Sequence, residues 1–305
     1  MSHPPDPSSP RTPGVGFVLA AALLWGTTGT AQALAPAGVH PAALGAMRLA
    51  VGGLALLALS AARGHLGRGR PWPPVPTALS AIFVAAYQLS FFAGVARTGV
   101  AVGTMVAIGS APIAAGVLGF WVRGERLGAI WLAATALALA GCILLAVSGG
   151  NARAEPVGIA LALGAGVSYA TYTVTLKGLL KHHPPDAVMA TVFCLAAVLL
   201  LPVLFVFDLG WLKNPRGLAV ALHLGVVATA LAYGLFARGL RTVPVGTAAT
   251  LSLAEPLTAV LLGVVLLGER LSGGEMLGVG LLFAGITLLA AGSQAAARSR
   301  RRAGP

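Results

Sequence analysis

Ten predominantly apolar runs of about twenty residues follow one another along this chain, at 15–35, 41–61, 75–97, 100–122, 127–148, 156–177, 186–206, 216–237, 244–267 and 273–293. About twenty apolar residues is the length that crosses the hydrocarbon core of a bilayer as a helix. Lipid offers the backbone no hydrogen-bond partner, so each run has to satisfy its own amides by coiling. Charged residues make up 9% of the chain, against roughly 25% in soluble domains, and the loops leave no room for a soluble domain. The expected fold class is an all-α membrane protein. The charges that fall within these bounds lie at or near the run ends except for two, Arg48 in the second and Glu255 in the ninth.

The ten runs are not independent. Laid on 236–290 without a gap, residues 92–146 match at about 18 of 55 positions, against about a tenth expected by chance for so Ala-, Leu- and Gly-rich a chain. The matches include Phe92/Phe236, Arg97-Thr98/Arg241-Thr242, Pro112/Pro256 and the tetrapeptide Gly-Glu-Arg-Leu at 124–127 and 268–271. The period of 144 divides the chain into repeats at 15–148 and 156–293, with a Pro- and Ser-rich tail, 1–14, and a basic tail, 294–305. Each repeat holds five helices. An odd number forces the second repeat to enter the membrane from the opposite side, giving ten transmembrane helices as two inverted five-helix repeats.

Charge gives the orientation. With the N-terminus inside, the inner segments carry 14 cations (Arg11, Arg63, Arg68, Arg70, Arg123, Arg126, Lys177, Lys181, Arg238, Arg241, Arg298, Arg300, Arg301 and Arg302). The outer loops carry five: Arg97, Arg153, Lys213, Arg216 and Arg270. Cytoplasmic loops are enriched in Lys and Arg, so both termini are expected to be cytoplasmic and the basic tail to lie on anionic lipid.

Within this frame, Gly-Glu-Arg-Leu falls at the turn between the fourth and fifth helices of each repeat. Glu125 and Glu269 read as local caps for the helix that follows, with a gate as the alternative. Pro112 and Pro256 lie inside the fourth helix of each repeat. Each removes an N–H and frees a carbonyl one turn back, at Ile108 and Ser252. Interrupted helices in matching positions of inverted halves point to a hinge beside a midplane binding site, with a simple packing kink as the alternative. Glu255 stands about 11 residues into its helix, roughly 16 Å deep at 1.5 Å per residue, where a lone carboxylate is costly unless it is protonated, paired or hydrated. It reads either as part of a substrate or proton pathway or as the structural partner of Arg48. The first repeat has Ala111 where the second has Glu255, so the repeats are not equivalent in this function. Other candidate pathway residues are Trp25, Thr27, Thr28 and Gln32 on the first helix, Tyr87 and Gln88 on the third, Tyr169 and Tyr172 on the sixth and Tyr233 on the eighth. Each is open to the alternative of helix-to-helix packing.

Ten helices in two repeats, MRLAVGGL at 47–54, Pro112 with its Gly-Glu-Arg-Leu, and LAEPLTAVLLGVVLLGERLS at 253–272 resemble the drug/metabolite transporter superfamily, and within it the EamA-type transporters. The resemblance runs from about 15 to 293. It implies a secondary transporter, an exporter of amino acids or related metabolites. A lipid-carrier flippase or nucleotide-sugar carrier would share the fold.

Several function classes are excluded or weakened by residues that the chain lacks. There is no HExxH, GxSxG or GxxxxGK[ST], and no pair of carboxylates shares a helix face within the bilayer, so an enzyme is not expected. Cys142 and Cys194 have no partner spacing and read as packing residues; no cofactor or metal is implied. Ala-Gln-Ala at 31–33 imitates a signal-peptidase site, but cleavage there would delete a helix whose repeat partner stays. His182 and His183 read as solvated charge, and Trp72, Trp121, Trp131 and Trp211 as interfacial anchors. The expected partners are a small-molecule substrate, the bilayer and protons as a candidate coupling ion, with no nucleic acid. A monomer is compatible with the sequence.

Overall fold

The computed structural model describes residues 12–66, 71–98, 100–148, 155–267 and 270–302. Ten membrane-length helices account for nearly all of them. The first repeat contributes α1 (Thr12–Ala33), α2 (Pro41–Ala62), α3 (Pro74–Thr98), α4 (Val100–Arg123) and α5 (Ala129–Ser148). The second contributes α6 (Pro156–Leu179), α7 (Pro185–Val206), α8 (Pro215–Leu240), a divided α9 comprising α9a (Val245–Leu251) and α9b (Ala254–Leu267), and α10 (Gly273–Arg302).

Helix starts follow local chemistry. Pro opens α2, α6, α7 and α8, where its fixed φ suits the helix and its missing N–H would have been unpaired anyway. The Asn214 side chain accepts from the Arg216 amide at 2.9 Å to cap α8. At the end of α4, Gly124 takes φ +64°, a conformation that glycine adopts without a Cβ penalty. Its N–H bonds the Phe120 carbonyl at 2.9 Å, and that of Glu125 bonds the Gly119 carbonyl at 3.1 Å. The first residue of Gly-Glu-Arg-Leu is therefore a helix-stop glycine. The second copy's Gly268 and Glu269 lie outside the described residues.

Inversion is visible in which helices touch. Exchanging each helix with the one five places on maps the packing onto itself: α3 on α6 mirrors α8 on α1, α4 on α6 mirrors α9b on α1, and α3 on α7 mirrors α8 on α2. The pairs α2–α7 and α5–α10 map onto themselves and flank the two-fold axis. Glycines allow the α5–α10 crossing. A Cβ on Gly141 would stand 2.6 Å from the Gly278 carbonyl oxygen, and one on Gly285 would stand 2.6 Å from that of Ala134. Small residues let backbones approach in lipid, where packing rather than water drives association.

Ten crossings put Thr12 and Arg302 on one face, called here the terminal face; the opposite face is distal. The α4 helix packs along α9a, near the terminal face, and is splayed from α9b among the described residues. The space between the repeats is therefore pinched on the terminal side.

Three sequence expectations meet corrections. His183 is buried rather than solvated, stacked on Trp72 with ring centroids 4.0 Å apart; burial, with His182 nearby, lowers its pKa below that of a free imidazole. Trp131 and Trp211 are buried in protein contacts, whereas Trp121 is exposed as an anchor would be. Tryptophan near a helix end meets either lipid or a neighbouring helix, and only the packing decides which.

Candidate functional site

Four tyrosines and a tryptophan from four helices meet between the repeats. Tyr169 and Tyr172 on α6 stack edge to face, 5.1 Å between centroids, and Tyr87 on α3 stands 6.1 and 6.4 Å from them. In the same cluster, Tyr233 on α8 packs on Trp25 of α1 at 4.7 Å and on Phe193 of α7 at 4.5 Å. Tilted and edge-to-face pairs place the positive ring edge on a neighbour's negative face, so the box is rigid. The Tyr172 hydroxyl faces Tyr233 without a well-formed hydrogen bond, and the Trp25 indole N–H is also buried and unpartnered.

The divided α9 brings the carboxylate to this box. Pro256 has no N–H for the Ser252 carbonyl, which accepts instead from the Glu255 amide at 3.0 Å. The helix stops after Leu251 and restarts at Ala254. Glu255 consequently lies in the first turn of α9b, where the helix dipole favours negative charge. Pro112 has no such effect, since α4 runs unbroken through it. The break is held from outside as well. The Ser252 hydroxyl donates to the Ala248 carbonyl at 3.0 Å, which leaves the Tyr169 hydroxyl to donate to Ser252 Oγ at 3.1 Å. Tyr169→Phe should therefore cost about 0.5–1.5 kcal/mol and loosen the α6–α9 junction, read as a fall in melting temperature in detergent. An unchanged melting temperature would mean that this bond does not hold the break.

Glu255 does not pair with Arg48. No ion pair within 4.0 Å joins them among the described residues, although each feels the other's charge. Arg48 turns to α8, where its Nε donates to Thr229 Oγ1 at 3.2 Å and its Nη2 to the Ala228 carbonyl at 3.5 Å. That carbonyl belongs to a π segment, residues 223–231, a helix distortion common at functional sites. Thr229 completes the π turn through the Leu224 carbonyl at 2.8 Å. The structure thus sets an arginine and a carboxylate, not paired with each other, beside one aromatic box. Tyr87 and Tyr233 lie within electrostatic range of both.

The remaining sequence candidates divide. Gln88 faces α2, donating to the Gly45 carbonyl at 3.2 Å, and holds helices together. Thr28 and Gln32 continue the face of Trp25 and are half-buried. Thr27 instead meets His223, its hydroxyl 2.8 Å from Nε2 while also donating to the Leu24 carbonyl at 2.7 Å. Sequence reading missed His223, Thr229 and Phe193: nothing in the one-dimensional pattern marks a π segment.

The EamA-like transporter family model matches residues 12–147 and 156–291, one copy per repeat. The chain belongs to the EamA-like transporter family. It is similar to the uncharacterized transporter YwfM of Bacillus subtilis, at 50% identity across 90% of this chain and 93% of that one. It also resembles the threonine/homoserine exporter RhtA of Salmonella typhimurium, 35% identical over 48% of this chain and 49% of the relative. A probable amino-acid metabolite efflux pump of the same organism is 31% identical over 55% of this chain and 60% of its own. One solved crystal structure superposes with a TM-score of 0.80 over 93% of this chain and 98% of its own, at 23% identity, a likeness of fold. As an EamA-like protein the chain is a multi-pass membrane transporter of small molecules, not an enzyme.

Proposed function

We propose that this transporter exports small amino acids and related zwitterionic metabolites across the bacterial inner membrane. The observation that supports this reading is a carboxylate, Glu255, that carries no hydrogen bond or ion pair from the protein among the described residues. It opens onto an aromatic box that Arg48 also borders. An ammonium placed there meets a charge and several ring faces, while a carboxylate on the same substrate reaches the guanidinium. Pyrophosphate-bearing substrates, such as nucleotide sugars or lipid carriers, would be repelled by Glu255. Two relatives matched over about half of their length, an exporter of threonine and homoserine and a probable amino-acid metabolite efflux pump, are in keeping with this chemistry.

The repeats at 15–148 and 156–293 move against each other, and the cavity is exposed to each side in turn. A proton and the substrate ammonium compete for Glu255, which couples export to the proton gradient, and a monomer suffices because both repeats lie in one chain. Counterflow into proteoliposomes tests the substrate class. Labelled threonine or homoserine should accumulate saturably and be displaced by other small amino acids; displacement only by nucleotides or lipid phosphates would refute the assignment.

The 14 cations of the terminal-side segments against five on the other support an orientation with the terminal face and both termini in the cytoplasm. Green fluorescent protein fused after Pro305 should fluoresce and alkaline phosphatase at the same place should be inactive; the reverse pattern would invert the assignment.

A further inference from the structure

Glu125 does not cap α5. Its carboxylate reaches across to the other repeat, where Oε1 accepts from Lys177 Nζ at 2.7 Å and Oε2 from the Val245 amide at 2.6 Å. Val245 is the first residue of α9a after Pro244, so the carboxylate sits on the unpaired amides and positive dipole end of that half-helix. Lys177 closes the triangle by donating to the Val243 carbonyl at 2.7 Å. Both side chains are mostly buried, 13% and 15% exposed, which limits screening by water and salt. Three segments are tied at one point: the α4–α5 turn of the first repeat, the end of α6 and the α8–α9 turn of the second.

The surroundings are shaped to this point. A Cβ on Gly119 would stand 2.9 Å from Glu125 Oε2, and Gly116 and Gly246 bring α4 and α9a into contact just beyond. Beside it, the Arg123 guanidinium donates to the Val174 carbonyl at 2.6 and 3.2 Å, lying over Gly178.

The sequence does not repeat the whole device. The offset of 144 that pairs the two Gly-Glu-Arg-Leu words sets Ala33 opposite Lys177 and Leu267 opposite Arg123. The duplicated carboxylate therefore has no ammonium at the equivalent position, which makes the pair of gates unequal in sequence.

From this geometry we propose that Glu125 and Lys177 form a latch that holds the terminal-face gate shut, and that its release is the step that opens the cavity to that side. One charge-assisted bond to backbone and one between charges cross from one repeat to the other and have to break together. In the absence of substrate the protein rests open to the distal face. The inference rests on the alternating-exposure reading above, and deepens it by naming the residues that set the gate equilibrium.

Thiol accessibility tests this without needing a substrate. In a Cys142→Ala, Cys194→Ala background, Ser252→Cys places a reporter at the α9 break beneath the latch. A membrane-impermeant maleimide should label it from the distal side and poorly from the terminal side. Adding Glu125→Ala, or separately Lys177→Met, should raise terminal-side labelling at least about tenfold, the factor that corresponds to about 1.4 kcal/mol in the gate equilibrium. Two chemically unlike variants guard against a folding defect, and each is checked for a monodisperse profile in gel filtration. Unchanged terminal-side labelling in whichever variant remains monodisperse overturns the latch. If terminal-side labelling rises yet the unmodified protein moves no amino acid, the latch stands and the assigned substrate class fails instead.

Discussion

Glu255→Gln should abolish most transport and leave the fold intact. The substitution keeps the size and hydrogen-bonding reach of the side chain while removing its charge. The lost interaction with a substrate ammonium is worth about 1.5–3 kcal/mol, a fall of about ten- to a hundredfold in flux at subsaturating substrate. Flux that remains should no longer vary with the imposed pH gradient, because the group that exchanges a proton for an ammonium is gone. Stability should hold to within about 0.5 kcal/mol, since the Glu255 carboxylate has no protein partner to orphan and Arg48 is already engaged with Thr229 and the Ala228 carbonyl. This separates the pathway reading from a structural one: removal of one member of a buried ion pair would cost about 3–5 kcal/mol. Proteoliposome flux at several pH values, measured beside detergent melting curves, decides it. Wild-type flux in a well-folded Glu255→Gln protein, or a protein that no longer folds, would contradict the role assigned here.

The largest loss of stability is expected at the α5–α10 crossing. Gly141→Val puts its first side-chain carbon 2.6 Å from the Gly278 carbonyl oxygen and 2.7 Å from the Leu282 amide nitrogen. These are backbone atoms in the middle of a helix, and they cannot turn aside as the end of a flexible side chain can. Relief requires the two helices to separate, with loss of contact along their length, and the expected cost is about 3 kcal/mol or more, at the upper end of overpacking penalties. Gly280→Val is the matched control, on α10 but with open space where its Cβ would go. Its melting temperature should lie within a few degrees of the parent, with the Gly141→Val protein far below both or not recovered. Equal behaviour of the two would mean that α5 and α10 do not depend on this contact.

Much of the molecule was legible along the chain because the bilayer is a severe solvent. Apolar length fixes span number, an odd count per repeat fixes inversion, and one charge buried in each of two helices points to the middle of the fold. The aromatic box was legible only in part. Tyr87, Tyr169, Tyr172, Tyr233 and Trp25 could be proposed by depth, but the same depth brought in Gln88, whose amide turns to the Gly45 carbonyl. Depth is one coordinate, and the direction in which a helix faces is another.

What the sequence determined by itself is therefore the set of constraints that each segment meets alone with lipid: ten spans, two opposed repeats, and the positions where charge or proline breaks the pattern. Tertiary structure decided everything that needs two segments at once. Glu125 reads locally as a cap for the next helix, yet its carboxylate lies on Lys177 and the start of α9a, 52 and 120 residues away. Arg48 and Glu255 read as natural partners, yet a π segment in α8 supplies the guanidinium with a nearer carbonyl and leaves the carboxylate free. Charges settle on whichever partner the packing brings within about 3 Å, and that distance is set by helix rotation and crossing, which no spacing along one chain records.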